Sequence, residues 1–141
     1  MFIAKMTQTN NLLETALDTE SIRRKVIANN IANVDVPHFK RREVNFESEL
    51  QRVINDRKNP NNRLPSLRTD ARHIPFFTPR EIDSVSYRVN YDYSTTFRND
   101  GNNVDVEKEM VDASKNLMRY NAFVTSLNHN FNMLKFVMRP A

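Results

Sequence analysis

The chain has 141 residues, 27% of them charged and 39% hydrophobic, with a formal net charge of +4, no cysteine and a single glycine, Gly101. That length suits one architectural unit, 1–141, with a narrow core. One glycine argues against the glycine-rich loops that cradle phosphates, and the lack of cysteine excludes disulfides, thiolate metal sites and cysteine nucleophiles.

The N-terminus turns polar after a few residues and has no apolar signal core, so any export is expected to use a route that reads no cleavable signal. No segment reaches the roughly 20 apolar residues of a membrane span, so direct membrane insertion is not expected. From there a helix is predicted over 9–34. Asn11 and Glu14 fit a capping-box start, acids Glu14, Asp18 and Glu20 come early, and bases Arg23, Arg24 and Lys25 come late, as the helix dipole favours. Its apolar stripe runs through Leu13, Leu17, Ile27, Ile31 and Val34, interrupted by Glu20 and Arg24. Pro37 ends it, because the residue before a proline is pushed out of the helical region.

The middle, 35–104, holds Pro60, Pro65, Pro75 and Pro79 and no sustained period, and is predicted to be extended and partly irregular. Its basic stretch, 51–72, is read as a loop, with six bases against two acids, which equals the whole net charge. From Val85 to Tyr93 apolar and polar residues alternate, the period of a strand, and a short β-hairpin is expected there.

The third element, predicted over 105–139, has the clearest pattern. Val106, Met110, Ala113, Leu117, Tyr120, Val124, Leu127, Phe131, Leu134 and Met138 repeat at alternating fours and threes without a polar interruption. This is a coiled-coil seam on a helix about 50 Å long. Asp105 can cap its start, and Lys135 and Arg139 precede Pro140 at its end. The fold class that follows is mainly α, with the N- and C-terminal helices packed as an antiparallel coiled-coil hairpin and both termini at one end. Apolar residues off the seams, such as Val111, Met118, Phe136, Leu12, Ile22 and Val26, predict self-association or association with related helices.

Nothing in the chain assembles a reaction. His38, His73 and His129 are far apart and none forms a helical i, i+4 pair with another, and no nucleophile sits with a base, so no enzyme activity, metal or cofactor is expected. The basic clusters Arg23 to Lys25 and Lys40 to Arg42 make a basic coiled-coil nucleic-acid binder the rival class. A basic zipper, however, runs its basic region directly into the heptads, and the residues before Val106 are acidic or neutral, which counts against nucleic acid as a partner.

The segment Ala28-Asn-Asn-Ile-Ala-Asn-Val-Asp-Val-Pro-His-Phe-Lys40 resembles the signature of flagellar rod and hook proteins, a helix ending in Asn-Ile-Ala-Asn followed by a Thr-Pro-Gly-Tyr type turn. Asn30, Ile31, Ala32, Asn33, Pro37 and Phe39 match; Val36 stands where that family commonly has threonine, and His38 where it commonly has glycine. Histidine tolerates a left-handed backbone less well than glycine, so the turn is expected to differ in shape. Asp100 to Met110 and Leu117 to Ala122 are similar to the C-terminal helix of the proximal rod proteins, and with the chain's length they point to the FlgB family.

The resemblance implies a structural subunit of the flagellar basal body, exported through the flagellar type III apparatus and assembled in the periplasm into the rod. The implied partners are further copies, other rod proteins, the MS-ring adaptor and the export gate. The residues expected at the assembly interface are Leu13, Leu17, Ile27, Ile31, Asn30 and Asn33 on the first helix, and the seam from Val106 to Met138 on the last. Asn29, Asn30 and Asn33 are expected to satisfy backbone groups at the helix end.

Overall fold

The computed structural model describes residues 2–58, 69–70, 72–73, 85–94 and 98–138, with side chains from Lys5 and, in the second helix, as far as Asn55. In chain order the elements are α1 (Phe2–Ala32), β1 (Arg42–Asn45), α2 (Glu47–Lys58), β2 (Arg88–Tyr91) and α3 (Val106–Val137). The prolines at 60, 65, 75, 79 and 140, Arg139, and the stretch 59–68 of the expected basic loop lie outside the described residues.

α1 begins at Phe2 instead of near Thr9, so Asn11 lies inside the helix and caps nothing. No proline or glycine breaks the first nine residues. The threonine hydroxyls stay within the helix, Thr9 donating to the Lys5 carbonyl at 2.9 Å and Thr15 to that of Asn11 at 2.9 Å. α3 matches its expected limits within two residues. Asp105 caps it, its carboxylate accepting from the Glu107 N–H at 3.0 Å and the Lys108 N–H at 3.3 Å.

α1 and α3 lie antiparallel, as expected. Asn10 meets Asn130, Glu20 meets Asn116 and Asn30 meets Glu109, so the numbers rise along α1 as they fall along α3. The helices are held at intervals by polar rungs, with Leu13, Leu17 and Ile27 between them on α1.

The middle is more ordered than its composition suggested. Part of the expected basic loop is α2, which opens on Glu47 and Glu49 where the helix dipole favours acids. Leu50 and Val53 turn inward, and a small core gathers Ala16, Phe46, Val53 and Val85, flanked by Leu12, Leu50 and Phe123. The alternating stretch does hold a strand, β2. Its partner is not a hairpin neighbour but β1, antiparallel, with Val44 opposite Val89 and Arg42 opposite Tyr91. The guanidinium of Arg42 lies 5.0 Å from the centre of the Tyr91 ring. Both strands span four residues, which is why β1 carries no legible period.

Candidate assembly site

The end of α1 is built from its asparagines. Asn33 donates from its side chain to the Asn29 carbonyl at 2.7 Å, closing the last turn as expected. Asn30 does something else. Its amide nitrogen donates to the Arg42 carbonyl at 2.9 Å, its oxygen accepts from the Arg42 N–H at 3.0 Å, and the same nitrogen reaches Glu109 at 3.2 Å. It therefore docks β1 onto α1 and joins both to α3. Asn30 is fully enclosed by its own chain, so it has no surface to offer a neighbour, and Ile27 is also buried.

The turn after α1 keeps the left-handed step. His38 itself takes φ 60°, where histidine is tolerated better than most residues, and its N–H donates to the Asp100 carbonyl at 3.0 Å. Gly101, at φ 79°, lies so close that a Cβ there would sit 2.9 Å from the His38 ring. Beside it, the buried Asn102 donates to the carbonyls of Asn33 at 3.1 Å, Val34 at 2.9 Å and Val36 at 2.9 Å. Its oxygen accepts from the Val104 N–H at 2.8 Å. The residues that end α1 and those that lead into α3 are thus one latch.

Behind the latch, Arg41 donates from Nε to Glu109, approaches Glu43 at 3.1 Å and Asp112 at 3.5 Å, and its backbone N–H donates to Asn103 at 2.7 Å. Burial alone would lower the pKa of Arg41, but the hydrogen bond and charge of Glu109, with help from Glu43, hold it above its ordinary value. Further along, Asn116 donates to both the backbone and the carboxylate of Glu20, which also takes Arg23. Arg23 then reaches Glu47 at 2.8 Å. Burial would raise the pKa of Glu47, yet its helix-start N–H and the charge of Arg23 hold it below the usual carboxylate range.

These contacts disperse both basic clusters. Arg23 and Arg41 turn in toward carboxylates, Arg42 stacks on Tyr91, and Lys40 donates to the Gly101 carbonyl at 2.8 Å. Neither cluster forms a continuous basic face. Among the described residues no group of His, Asp and Glu could hold a metal ion, and no helix is long and apolar enough to cross a membrane.

The matches to known proteins fall on this framework. A family model described as "Flagella basal body rod protein" matches residues 11–40, α1 from Asn11 onward and the turn of the latch. The chain is 39% identical over 126 residues to the flagellar basal body rod protein FlgB of Bacillus subtilis (strain 168), with 89% of each chain covered. This chain belongs to the FlgB family. It is also 37% identical over 129 residues to FlgB of Borrelia hermsii, covering 92% of this chain and 94% of that one. Against FlgB of Escherichia coli (strain K12) it is 30% identical over 117 residues, covering 82% of this chain and 81% of that one.

In this FlgB-family chain the seam residues divide into two lines. Val106, Ala113, Leu127 and Leu134 are partly buried at the edge of the α1 contact, while Tyr120 is 38% exposed. The line through Met110, Leu117, Val124, Phe131 and Met138 faces away, and all but the half-buried Val124 are open, from 41% exposure at Phe131 to 70% at Met138. The position facing α1 most directly is one residue earlier: Glu109, Asn116, Phe123 and Asn130, again seven apart. On α1, Leu13, Leu17 and Ile31 are half-buried. Between the helices a groove of about 320 Å³ is lined by Ile27, Ala28 and Ile31 of α1 and by Ala113, Ser114 and Leu117 of α3, with Arg24 and Asn116 at its edges.

Proposed function

We propose that this chain is a structural subunit of the proximal rod of the bacterial flagellar basal body, joined to its neighbours by helix packing and performing no catalysis. The carrying observation is the apolar line of α3 that its own α1 leaves uncovered, Met110, Leu117, Phe131 and Met138. An exposed apolar stripe of this length marks a protein contact, and a neighbouring helix is the shape that fits it. Ile31, half-buried on α1, lines the other side of the groove, and Leu13 and Leu17 are half-buried further along the same helix.

In this reading the chain leaves the cell body through the flagellar type III apparatus without a cleaved signal and assembles in the periplasm. Its neighbours are further copies, other rod proteins, the MS-ring adaptor and the export gate. Torque passes along helices buried against one another, and the buried polar network keeps each hairpin from shearing. Leu117→Asp combined with Val124→Asp is expected to leave a helical chain that is missing from purified basal bodies, in cells that do not swim. Normal swimming with that variant would overturn the proposal.

A further inference from the structure

The two edges of the small sheet end differently. The Asp92 N–H donates to the Arg41 carbonyl at 2.9 Å, and with Arg42 opposite Tyr91 this fixes which backbone groups point across the pair and which point away. Arg42 and Val44 of β1, and Val89 and Tyr91 of β2, turn their N–H and C=O groups outward. On the β1 side α1 takes them up: Asn30 holds both the N–H and the carbonyl of Arg42, and Arg23 reaches the Val44 carbonyl at 3.5 Å. On the β2 side no described residue bonds the outward groups of Val89 and Tyr91, which are 41% and 49% exposed. An open edge of this kind is a template for another strand.

β2 and the residue after it read Arg88-Val-Asn-Tyr-Asp92, a run complementary to itself. Reversed about Asn90, it sets Arg88 opposite Asp92 and Val89 opposite Tyr91, each twice. Val89 and Tyr91 are the residues whose free backbone groups would bond across, and Arg88 and Asp92 share the other face of the strand, in the closely spaced pairs between those bonds. Opposite charges and aromatic with β-branched residues are the cross-strand pairs that stabilise a sheet. Sliding the pairing by two residues either way puts both charges opposite asparagine or serine, so one register is favoured. Within one copy Arg88 approaches Glu49 at 3.7 Å, a long and exposed pair that leaves the guanidinium able to turn to a second carboxylate.

We infer that two copies of this chain pair edge to edge through β2, centred on Asn90, and that this pairing belongs to the free chain and not to the rod. Two β2 strands related by a two-fold axis close on each other into a four-stranded antiparallel sheet, β1-β2-β2-β1, with α1 holding both outer edges. A closed pair offers no edge to a third copy, so it stops at two and does not grow into a shaft. Five residues from each copy take part, against the roughly 20 or more per side of a stable interface, so the pair is weak and reversible. Such a pair keeps the edge of an unassembled chain out of open-ended strand association and still releases single subunits. It uses neither the apolar line of α3 nor the groove beside α1.

Because the chain has no native cysteine, disulfides introduced into the full-length protein report the register directly. Asn90 is exposed, so Asn90→Cys is expected to fold, and in the pair its two thiols face each other with Cα atoms about 4.5 Å apart, within the range of a disulfide. Mild oxidation of the concentrated protein should convert that variant to a product of twice the chain mass. Arg88→Cys sets its two thiols four residues out of step, about 13 Å apart, and should link at least tenfold more slowly. Mixed with Asp92→Cys, however, it should link readily, because those positions face each other. Failure of Asn90→Cys to link, or equally fast linking of Arg88→Cys alone, would overturn the inference. Basal bodies isolated from cells carrying Asn90→Cys, with thiols blocked at lysis, should hold the single chain; a linked pair in them would overturn its assignment to the free chain. None of these results bears on the rod reading, since the helix faces are unaltered in every variant.

Discussion

At the scale of single residues, the structure turns on polar side chains with no exposure. Glu109 is completely buried and receives Arg41 and Asn30, which come from β1's leading edge and the end of α1. Removing one member of a buried ion pair strands the other, so Glu109→Ala is expected to cost about 3 to 5 kcal/mol in urea unfolding. Replacing both partners, Glu109→Leu with Arg41→Met, should recover most of that loss. Glu47 gives a pH signature of known sign. Its folded pKa lies below the ordinary carboxylate value, so its stabilisation is complete above that value and disappears as pH falls through the lowered one. Glu47→Gln should flatten that part of the acid limb, by a small amount because the side chain is 60% exposed and screened by solvent.

At the scale of elements, α1 and α3 were legible, and the face of α3 that meets α1 was not. The apolar repeat from Val106 to Met138 locates the helix and its greasy line, but periodicity carries no information on whether that line meets its own chain or another. The chain places Glu109, Asn116 and Asn130 on the inner line, one residue away from Met110, Leu117 and Phe131. Glu20, which looked like a flaw in the α1 stripe, is the partner of Asn116. A charged residue on an apolar face with an asparagine on the facing helix was the available signal. α2 escaped notice because its apolar residues are only Leu50, Val53 and Ile54, too few for a period, and β1 because four residues cannot show one. Polar rungs of this kind fix register at some expense in stability. Glu20→Leu with Asn116→Leu should therefore unfold at equal or higher urea concentration than the parent, yet sediment as a broader mixture of species. A single sharp species of parental size would show that register does not depend on this rung.

At the scale of the whole molecule, the two ends of the hairpin are built for different tasks. One end joins the α1 terminus, β1 and the start of α3 through Asn30, Arg41, Asn102 and Glu109, so three segments distant in sequence share one buried polar network. Each half of this latch satisfies backbone groups of the other, as Asn102 does for the carbonyls that end α1. At the other end, among the described residues, only the last turns of α3 and the first of α1 meet, with Asn10 and Asn130 bonded at 2.9 Å. Local opening depends on how much packing a segment must give up, so protection should fall along α3. In hydrogen exchange of the isolated chain, amides near Glu109 to Asn116 are expected to exchange at least tenfold more slowly than those near Asn130 to Val137. In assembled basal bodies the difference should narrow, because neighbours then cover the open end. Uniform protection along α3 in the isolated chain would mean that the latch does not hold this fold together, and that the hairpin is already complete without a partner.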